Sequence, residues 1–331
     1  MKKLIIILTF FSISFSVFSQ SAKEKGLNSI NEQSAKAYIE FLASDALEGR
    51  EAGRHGSQIA AEYIKSLLQD MGIKPLYKDS YFQHFEAYSR ERQKRTRYIV
   101  LPDSIEKYKL DPAHRKLQLK NVLGCIEGKN KNDYVIIGAH YDHLGMDEAL
   151  ANDKIYNGAD DNASGVSAVL QIAKAFVVSN TQPERTIIFA FWDGEELGLL
   201  GSEYFAATYS HISSVKGYLN FDMIGRNNME DKPKHVVYFY TESQPQFGDW
   251  LKNDIINYKL NLEPHYHPWD KPIGGSDNAS FAKRNIPVIW YHTDGHPDYH
   301  QPSDHTDKIN WDKLINITKA AYLNMWNMAN L

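Results

Sequence analysis

The sequence lacks the features that mark several specialised classes of protein. It has a single cysteine in 331 residues, so an internal disulfide is excluded. Its formal net charge is only −4, with 37 basic and 41 acidic residues, so it does not have the basic surplus of a nucleic-acid-binding protein. Cys125 lies in an apolar run, which favours a buried structural thiol over a nucleophile. A composition of 43% hydrophobic and 24% charged residues is typical of a globular protein with a sizeable core.

Long hydrophobic runs are also absent, except at the N-terminus. Lys2 and Lys3 precede an apolar run, Leu4–Val17, and Val17-Phe18-Ser19 resembles a signal-peptide cleavage site before Gln20. This pattern predicts a signal peptide over residues 1–19, with a membrane anchor as the alternative that the short run disfavours. Loss of the two lysines would change the formal charge from −4 to −6. We therefore expect an exported protein, periplasmic or extracellular, with no stable membrane association and no nucleic-acid partner; the oligomeric state is not specified.

Residues 20–118 read as a helical region followed by short strands. Ala35–Leu47 and Gln58–Met71 have the apolar spacing of amphipathic helices. The charged, glycine-rich stretch between them, Glu48–Arg54, is interpreted as a solvated connector. We expect residues 20–118 to pack on a catalytic domain formed by residues 119–331.

From residue 119 the pattern changes to an alternation of short apolar runs and helical stretches. The runs predict buried strands at Asn121–Ile126, Tyr134–Ala139, Thr186–Phe191, Tyr218–Phe221, Val236–Tyr240 and Val288–Tyr291. Helical patterns lie between several of them and at the C-terminus. The alternation predicts an α/β fold with a mixed, mostly parallel central sheet between helices, a three-layer α/β/α sandwich.

Polar residues follow these predicted strands directly. The strand ends lead into His140-Tyr141-Asp142-His143, Asp193-Gly194-Glu195-Glu196, Asp222 and the histidine-rich loop His292–His305. Sites in open α/β sheets form at the carboxyl ends of the strands, so these side chains are expected at one edge. Surface loops explain any single case but not the repetition.

The residue types indicate a metal centre. Imidazole and carboxylate ligands together suit zinc or a similar divalent metal. Asp142, two residues after His140, could accept a hydrogen bond from its far ring nitrogen. In Glu195-Glu196, one carboxylate could bind metal while the other takes a proton from water. The adjacent Asp160 and Asp161 lie in a loop of small residues, where a fixed carboxylate can bridge two cations.

Five ordered motifs resemble the co-catalytic zinc aminopeptidases of the aminopeptidase Y and secreted bacterial leucyl aminopeptidase type (metallopeptidase family twenty-eight). They are A-H-Y-D-H-L-G from Ala139, N-G-A-D-D-N-A-S-G from Asn157, F-W-D-G-E-E-L-G-L-L-G-S from Phe191, N-F-D-M-I-G from Asn220 and H-P-D-Y-H-Q-P-S-D from His296. The E-G-R-E-A-G segment also looks like the N-terminal region of that family, so the resemblance covers about residues 40–320.

The resemblance implies a role for each matching residue. His140 and Asp222 would hold one zinc, Glu196 and His300 the other, and Asp160 would bridge them. Glu195 would be the general base, Asp142 would orient His140, and the Asp160–Asp161 peptide bond would be cis. The implied substrates are peptides with a free N-terminus. Of the other histidines, His143 is expected to be a hydrogen-bonding loop residue, and His296 either supports the ligands or faces the substrate.

Three other functions remain open. A glutaminyl cyclase typically works with one zinc, so the intact His140 and Asp222 pair weighs against it. A carboxypeptidase needs a basic recess for the substrate carboxylate, for which Arg226 and Lys271 are the candidates. A metal-bound domain without catalysis is disfavoured because every ligand position and the base are present.

Overall fold

The computed structural model describes residues 21–90, 97–271 and 274–331. The predicted signal peptide, residues 1–19, lies outside the described residues. Within the described ranges, no helix combines the length and apolar character needed to cross a membrane.

Most helices lie where the sequence pattern predicts them, but Ala22–Ser29, Pro102–Lys109 and Asn278–Ala282 were not predicted, and Pro102–Lys109 lies among residues expected to form short strands. The helices are α1 (Ala22–Ser29), α2 (Glu32–Leu42), α3 (His55–Asp70), α4 (Pro102–Lys109), α5 (Gly165–Ser179), α6 (Leu200–Thr208), α7 (Gln246–Tyr258), α8 (Asn278–Ala282) and α9 (Trp311–Asn330). Polar side chains cap several of their first turns: Ser21 forms a capping box with Glu24, and Asn31 and Asn310 accept hydrogen bonds from main-chain amides of α2 and α9. Helix α2 ends at Leu42, earlier than expected, and a short 3₁₀ segment, Asp45–Arg50, follows it.

Every strand expected after residue 119 is present. The strands are β1 (Lys74–Pro75), β2 (Phe82–Ser89), β3 (Tyr98–Ile99), β4 (Lys116–Ile126), β5 (Asn130–His140), β6 (Arg185–Trp192), β7 (Val215–Phe221), β8 (His235–Tyr240), β9 (Glu263–Pro268) and β10 (Val288–His292). They form one sheet in the order β3-β2-β4-β6-β5-β7-β10-β8-β9, with β1 beside β4. The sequence boundary placed at residue 119 falls inside β4.

The sheet is mixed, as predicted, but its parallel part is limited. Strands β6, β5, β7 and β10 are mutually parallel at the centre, and β8 and β9 form a further parallel pair. The pairs β4–β6, β2–β4, β2–β3, β1–β4 and β8–β10 are antiparallel. The prediction of a mostly parallel sheet therefore holds for the centre, which carries the strand ends of interest.

Helices cover both faces of the sheet, which gives the predicted α/β/α sandwich. Successive side chains of a strand point to opposite faces. Val135, Ile137 and Ala139 of β5 accordingly pack in a large core with α1, α2, α3, α5, α7 and α9. Ile136 packs in a second core on the opposite face, with Phe205 of α6 and Phe281 of α8.

Candidate metal centre

The parallel strands bring the predicted polar residues to one edge of the sheet. His140, the last residue of β5, is paired with Trp192, the last residue of β6. Asp222 follows β7 directly, and β7 is parallel to β5 and β10. Their carboxyl ends therefore meet, and His140 and Asp222 are both buried there.

Three of these side chains form a first group of possible metal ligands. Nε2 of His140 lies 3.3 Å from Oδ1 of Asp161 and 3.6 Å from Oδ1 of Asp222. The three ligand atoms are mutually close enough to hold one ion. His140 and Asp222 thus come together as expected, although their carboxylate partner is Asp161.

A second group lies on the other side of Asp161. Nε2 of His300 is 3.2 Å from Oδ2 of Asp161 and 3.3 Å from Oε2 of Glu196. Nδ1 of His143 lies 2.7 Å from Oε1 of Glu196 and 3.7 Å from Oδ2 of Asp161. Glu196 and His300 are therefore brought together as predicted, and His143 joins them.

The shared carboxylate is Asp161, and the sequence-based assignment of Asp160 as the bridging residue is corrected. The two oxygens of Asp161 face different groups, Oδ1 toward His140 and Oδ2 toward His300. Oδ1 of Asp160 instead accepts a hydrogen bond from the main-chain N–H of Gly225, at 2.6 Å. The cis peptide bond is likewise one residue later than predicted, between Asp161 and Asn162. The physical reason is that neighbouring side chains in this loop point in different directions, so only one of the two aspartates can face the strand ends.

Asp160 belongs to a separate set of buried polar groups behind Asp161. Its Oδ2 is 3.3 Å from Nε2 of His296, whose side chain is fully buried and does not line the cavity beside the ligands. Oδ2 of Asp304 accepts the main-chain N–H groups of both Asp160 and Asp161, at 2.9 and 3.1 Å. Asp304 therefore holds the loop that presents Asp161. It is the last residue of the fifth sequence motif, but no sequence pattern indicated this contact.

Glu195 lies beside both groups without belonging to either. It lines the same cavity as Asp161, Glu196 and Asp222. Its main-chain N–H donates to Oδ1 of Asp142 at 3.0 Å, and that of Glu196 donates to Oδ2 of Asp142 at 3.3 Å. Asp142, which is fully buried, thus fixes the backbone of the glutamate pair.

The predicted hydrogen bond between the Asp142 carboxylate and His140 is not formed. Nδ1 of His140 lies 3.8 Å from Oδ1 of Asp142 and 3.2 Å from the main-chain oxygen of the same residue. The carboxylate points toward the Glu195-Glu196 amides instead. Asp142 therefore orients the histidine through its carbonyl, and its side chain serves the neighbouring loop.

The electrostatics reflect many acids in a small buried volume. Burial raises the pKa of Glu195 well above its usual range, opposed by His140 and reinforced by Asp222 and Asp277. Burial alone would also raise the pKa of Asp161, but the imidazoles of His143, His140 and His300 hold it well below its usual range. Such a concentration of carboxylates favours bound positive charge.

His143 and Arg50 are parts of the site that sequence reasoning undervalued. The buried imidazole of His143 hydrogen-bonds Glu196, as expected of a hydrogen-bonding loop residue, but its place in the second ligand group lets it orient that carboxylate. Arg50 is 1% exposed, which contradicts the solvated connector expected for Glu48–Arg54. Its guanidinium donates to the carbonyls of Leu42, Tyr141, Asn157 and Gly158. The E-G-R motif pointed to this segment, but not to its burial.

The donor geometry fits zinc at both groups. Tetrahedral zinc with bonds of about 2.0–2.1 Å separates neighbouring ligand atoms by roughly 3.4 Å. The contacts among His140, Asp161 and Asp222 are 3.3 and 3.6 Å, and those among Asp161, His300 and Glu196 are 3.2 and 3.3 Å. Imidazole and carboxylate donors are also the types that zinc prefers.

A cavity of about 200 Å³ opens beside the two groups. Met223, Trp290 and Tyr299 contribute apolar surface to it, and His292 also lines it. The space suits one side chain next to the ligands.

Comparison with known sequences places this constellation in a family. The profile of Peptidase family M28 matches residues 121–325. Leupeptin-inactivating enzyme 1 of Streptomyces exfoliatus is 32% identical over 170 residues, which cover 51% of this chain and 34% of that protein. Leucine aminopeptidase 2 of Trichophyton equinum is 30% identical over 176 residues, covering 51% and 32% respectively. The matched region thus spans about a third of each of these relatives.

Solved structures share the fold at lower sequence identity. The LapA aminopeptidase of Legionella pneumophila superposes with a TM-score of 0.69 at 21% identity, covering 100% of this chain and 80% of that one. A glutaminyl cyclase of Fimbriiglobus ruber gives 0.67 at 15% identity, covering 90% and 95%. These similarities show that the chain shares the α/β/α fold of both structures.

Proposed function

The chain belongs to Peptidase family M28, and on this premise we propose that it is an exported aminopeptidase that uses two zinc ions to hydrolyse the N-terminal peptide bond of peptides. The observation that carries the proposal is the position of Asp161. Its two carboxylate oxygens face two separate groups of ligands, and Glu195 lines the same cavity without belonging to either group. Export is supported by the N-terminal sequence pattern alone.

Each zinc would be held by three side chains. His140, Asp161 and Asp222 would bind one ion, and Asp161, Glu196 and His300 the other. Bound zinc lowers the pKa of water and polarises a carbonyl oxygen, which is the chemistry that amide hydrolysis requires. His143 and Asp142 would act as positioning residues, the first on the Glu196 side chain and the second on the backbone of the glutamate pair.

Glu195 would be the catalytic residue that moves protons. Its backbone is fixed by Asp142, and its side chain faces the cavity where the scissile bond would lie. It would accept a proton from the attacking water and deliver it to the departing nitrogen, so the same carboxylate would serve both proton transfers.

The cavity favours cleavage after one residue. A volume of about 200 Å³ is below the range of ordinary ligand pockets and accommodates one side chain. The surrounding carboxylates would attract the positively charged α-amino group of a substrate. The carboxylates around the cavity therefore favour substrates that have a free N-terminus.

The alternatives have less support. For a carboxypeptidase, Arg226 would have to be free to bind a carboxylate, but its Nη2 lies 2.7 Å from Oδ2 of Asp298 and the side chain is buried. Lys271 lines a different cavity, with Thr241 and Trp269. The similarity to a glutaminyl cyclase concerns the fold, and the complete pair of ligand groups favours the two-zinc reading. Because both ligand groups and Glu195 are present, a metal-bound domain without catalysis is also disfavoured.

The test uses a panel of amino-acyl chromogenic amides and their N-acetylated counterparts, with chelator-treated and zinc-reconstituted protein. We expect hydrolysis of the free-amine substrates only, no activity after chelation, and full recovery at two zinc ions per chain. Glu195→Gln should bind the same two ions but turn over ~10²- to 10⁴-fold more slowly. Preference for the acetylated substrates would refute the aminopeptidase assignment, and full activity at one zinc would refute the two-metal centre.

A further inference from the structure

A second, larger cavity meets the first at Glu196. Its volume is about 730 Å³, and Glu196 lines both cavities. His143 and Leu144 line it near the ligands, and its other walls come from Glu51–Arg54 and from the beginning of β4. We call this cavity the basic groove, because Arg54, Arg115 and Lys116 all line it.

The basic groove is a consequence of how β4 pairs in the sheet. Strand β4 is antiparallel to β6, with Val122 opposite Phe191, so the first residues of β4 extend past the end of β6. Strand β2 pairs with this overhang as far as Lys116. The overhang therefore forms a wall that leads away from the catalytic edge of the sheet.

The length of the overhang can be estimated from the residues between Lys120 and Arg115. Strand β4 passes the loop that carries Glu195 and Glu196, which we call the glutamate loop, at Lys120. The main-chain N–H of Lys120 donates to Oδ2 of Asp193 at 3.1 Å. Arg115 precedes Lys120 by five residues, which in extended chain corresponds to roughly 17 Å. A bound peptide in extended conformation would cover that distance with about five residues.

Arg115 is the available cation at the far end. Among the described residues it has no ion pair, and only its main chain is hydrogen-bonded, to Ser89. Lys116, in contrast, lies 2.5 Å from Oε1 of Glu86, and Arg54 lies 3.6 Å from Oε2 of Glu51. A guanidinium presents a planar fork of donors that matches a carboxylate.

We propose that the basic groove binds the part of the peptide that follows the scissile bond, and that Arg115 binds its C-terminal carboxylate, assisted by Arg54. This inference rests on the aminopeptidase function and specifies its substrates as short peptides of about five or six residues. Shorter peptides do not reach Arg115, and longer ones carry their carboxylate past it. The span of several residues also separates this recognition from that of a carboxypeptidase, which cleaves next to the carboxylate.

The experiment measures kcat/KM for a series of peptides with N-terminal leucine followed by one to nine alanines, each as free acid and as C-terminal amide. We expect a maximum near five or six residues, where the free acid is preferred over the amide by ~3- to 10-fold, and a ratio near one for the dipeptide. Arg115→Gln should abolish the preference. Arg115→Lys, which keeps the charge, should retain part of it.

The matched control is Lys252→Gln, which removes one exposed positive charge from α7 and should leave the acid-to-amide ratio unchanged. Hydrolysis of a leucyl chromogenic amide, which has no extended leaving group, should be the same in all these variants. Normal chromogenic activity without any dependence on length or carboxylate would overturn the groove proposal alone, as would a preference that survives in Arg115→Gln. Absence of chromogenic activity in the unaltered protein would overturn the aminopeptidase function and, with it, this inference.

Discussion

Two adjacent aspartates in one loop have different tasks. Asp161 faces both groups of metal ligands, whereas Asp160 accepts the N–H of Gly225 and contacts His296. Asp304 holds the amides of both residues and so prevents the loop from exchanging one carboxylate for the other. The identity of the bridging ligand thus depends on main-chain hydrogen bonds that no sequence pattern displays.

Replacing each aspartate by asparagine separates these tasks. Asp161→Asn removes the charged bridge, so we expect at most one tightly bound zinc per chain and a loss of activity of ~10²-fold or more. Asp160→Asn keeps an oxygen for the Gly225 amide and should retain both ions. Zinc content after dialysis, measured by elemental analysis, checks both expectations. Retention of two ions by Asp161→Asn, with loss in Asp160→Asn, would restore the assignment made from sequence.

At the scale of elements, the segment between α2 and α3 connects three parts of the site. Glu48, Gly49 and Arg50 all have positive φ, and a Cβ at Gly49 would lie 2.1 Å from the carbonyl oxygen of Gly145. This close approach lets main-chain amides of residues 143 and 145 donate to the carbonyls of residues 50 and 49. The guanidinium of Arg50 then joins the loop after β5 to the loop that carries Asp161.

Arg50→Met tests how much of the site depends on this segment. The change leaves several buried carbonyl oxygens without donors, so we expect a loss of about 3–5 kcal/mol in the free energy of unfolding and weaker zinc binding. Arg54→Met, at a position whose side chain is 58% exposed, is the control and should cost less than about 0.5 kcal/mol. Urea denaturation and zinc competition titrations measure the two effects. Equal stability of both variants would show that the buried guanidinium is dispensable.

At the scale of the whole molecule, helices from distant parts of the chain form one layer, and one of their contacts is sensitive to pH. Asp254 of α7 is buried, and burial raises its pKa to about 6, opposed by Lys23 of α1. Between about pH 4 and pH 6 the folded protein therefore keeps a proton on Asp254 that the unfolded chain releases. This contribution to stability is present at low pH and is lost as the pH rises through about 6.

Asp254→Asn removes that dependence. Because the amide is neutral at every pH, the variant should gain stability relative to the unaltered protein as the pH rises from 4.5 to 7.5, by about 1–2 kcal/mol after allowing for solvent screening. Urea unfolding of both proteins at the two pH values measures the difference, and titrations shared by the two proteins cancel. A difference that is the same at both pH values would contradict the assigned shift.

Much of this protein follows from its sequence alone. The period of the apolar residues predicted most strands from Asn121 onward and most helices between them, because a buried strand or helix face must carry such a pattern. It did not predict β9 or α8. The position of polar residues directly after those strands indicated a metal site, since parallel strands end at a common edge. The resemblance to the zinc aminopeptidases then singled out His140, Glu195, Glu196, Asp222 and His300 within it. These features are local in the chain, so the sequence specifies them.

Only the tertiary structure decided which of two neighbouring aspartates faces the ligands, that Arg50 is buried, and that Asp142 hydrogen-bonds the glutamate loop. It also decided that β4 extends beyond β6 to form the wall of the basic groove. Each of these depends on contacts between residues tens of positions apart, such as the 144 that separate Asp160 from Asp304. Hydrogen bonds of that kind are set when the layers pack, and the side-chain types alone do not determine their partners.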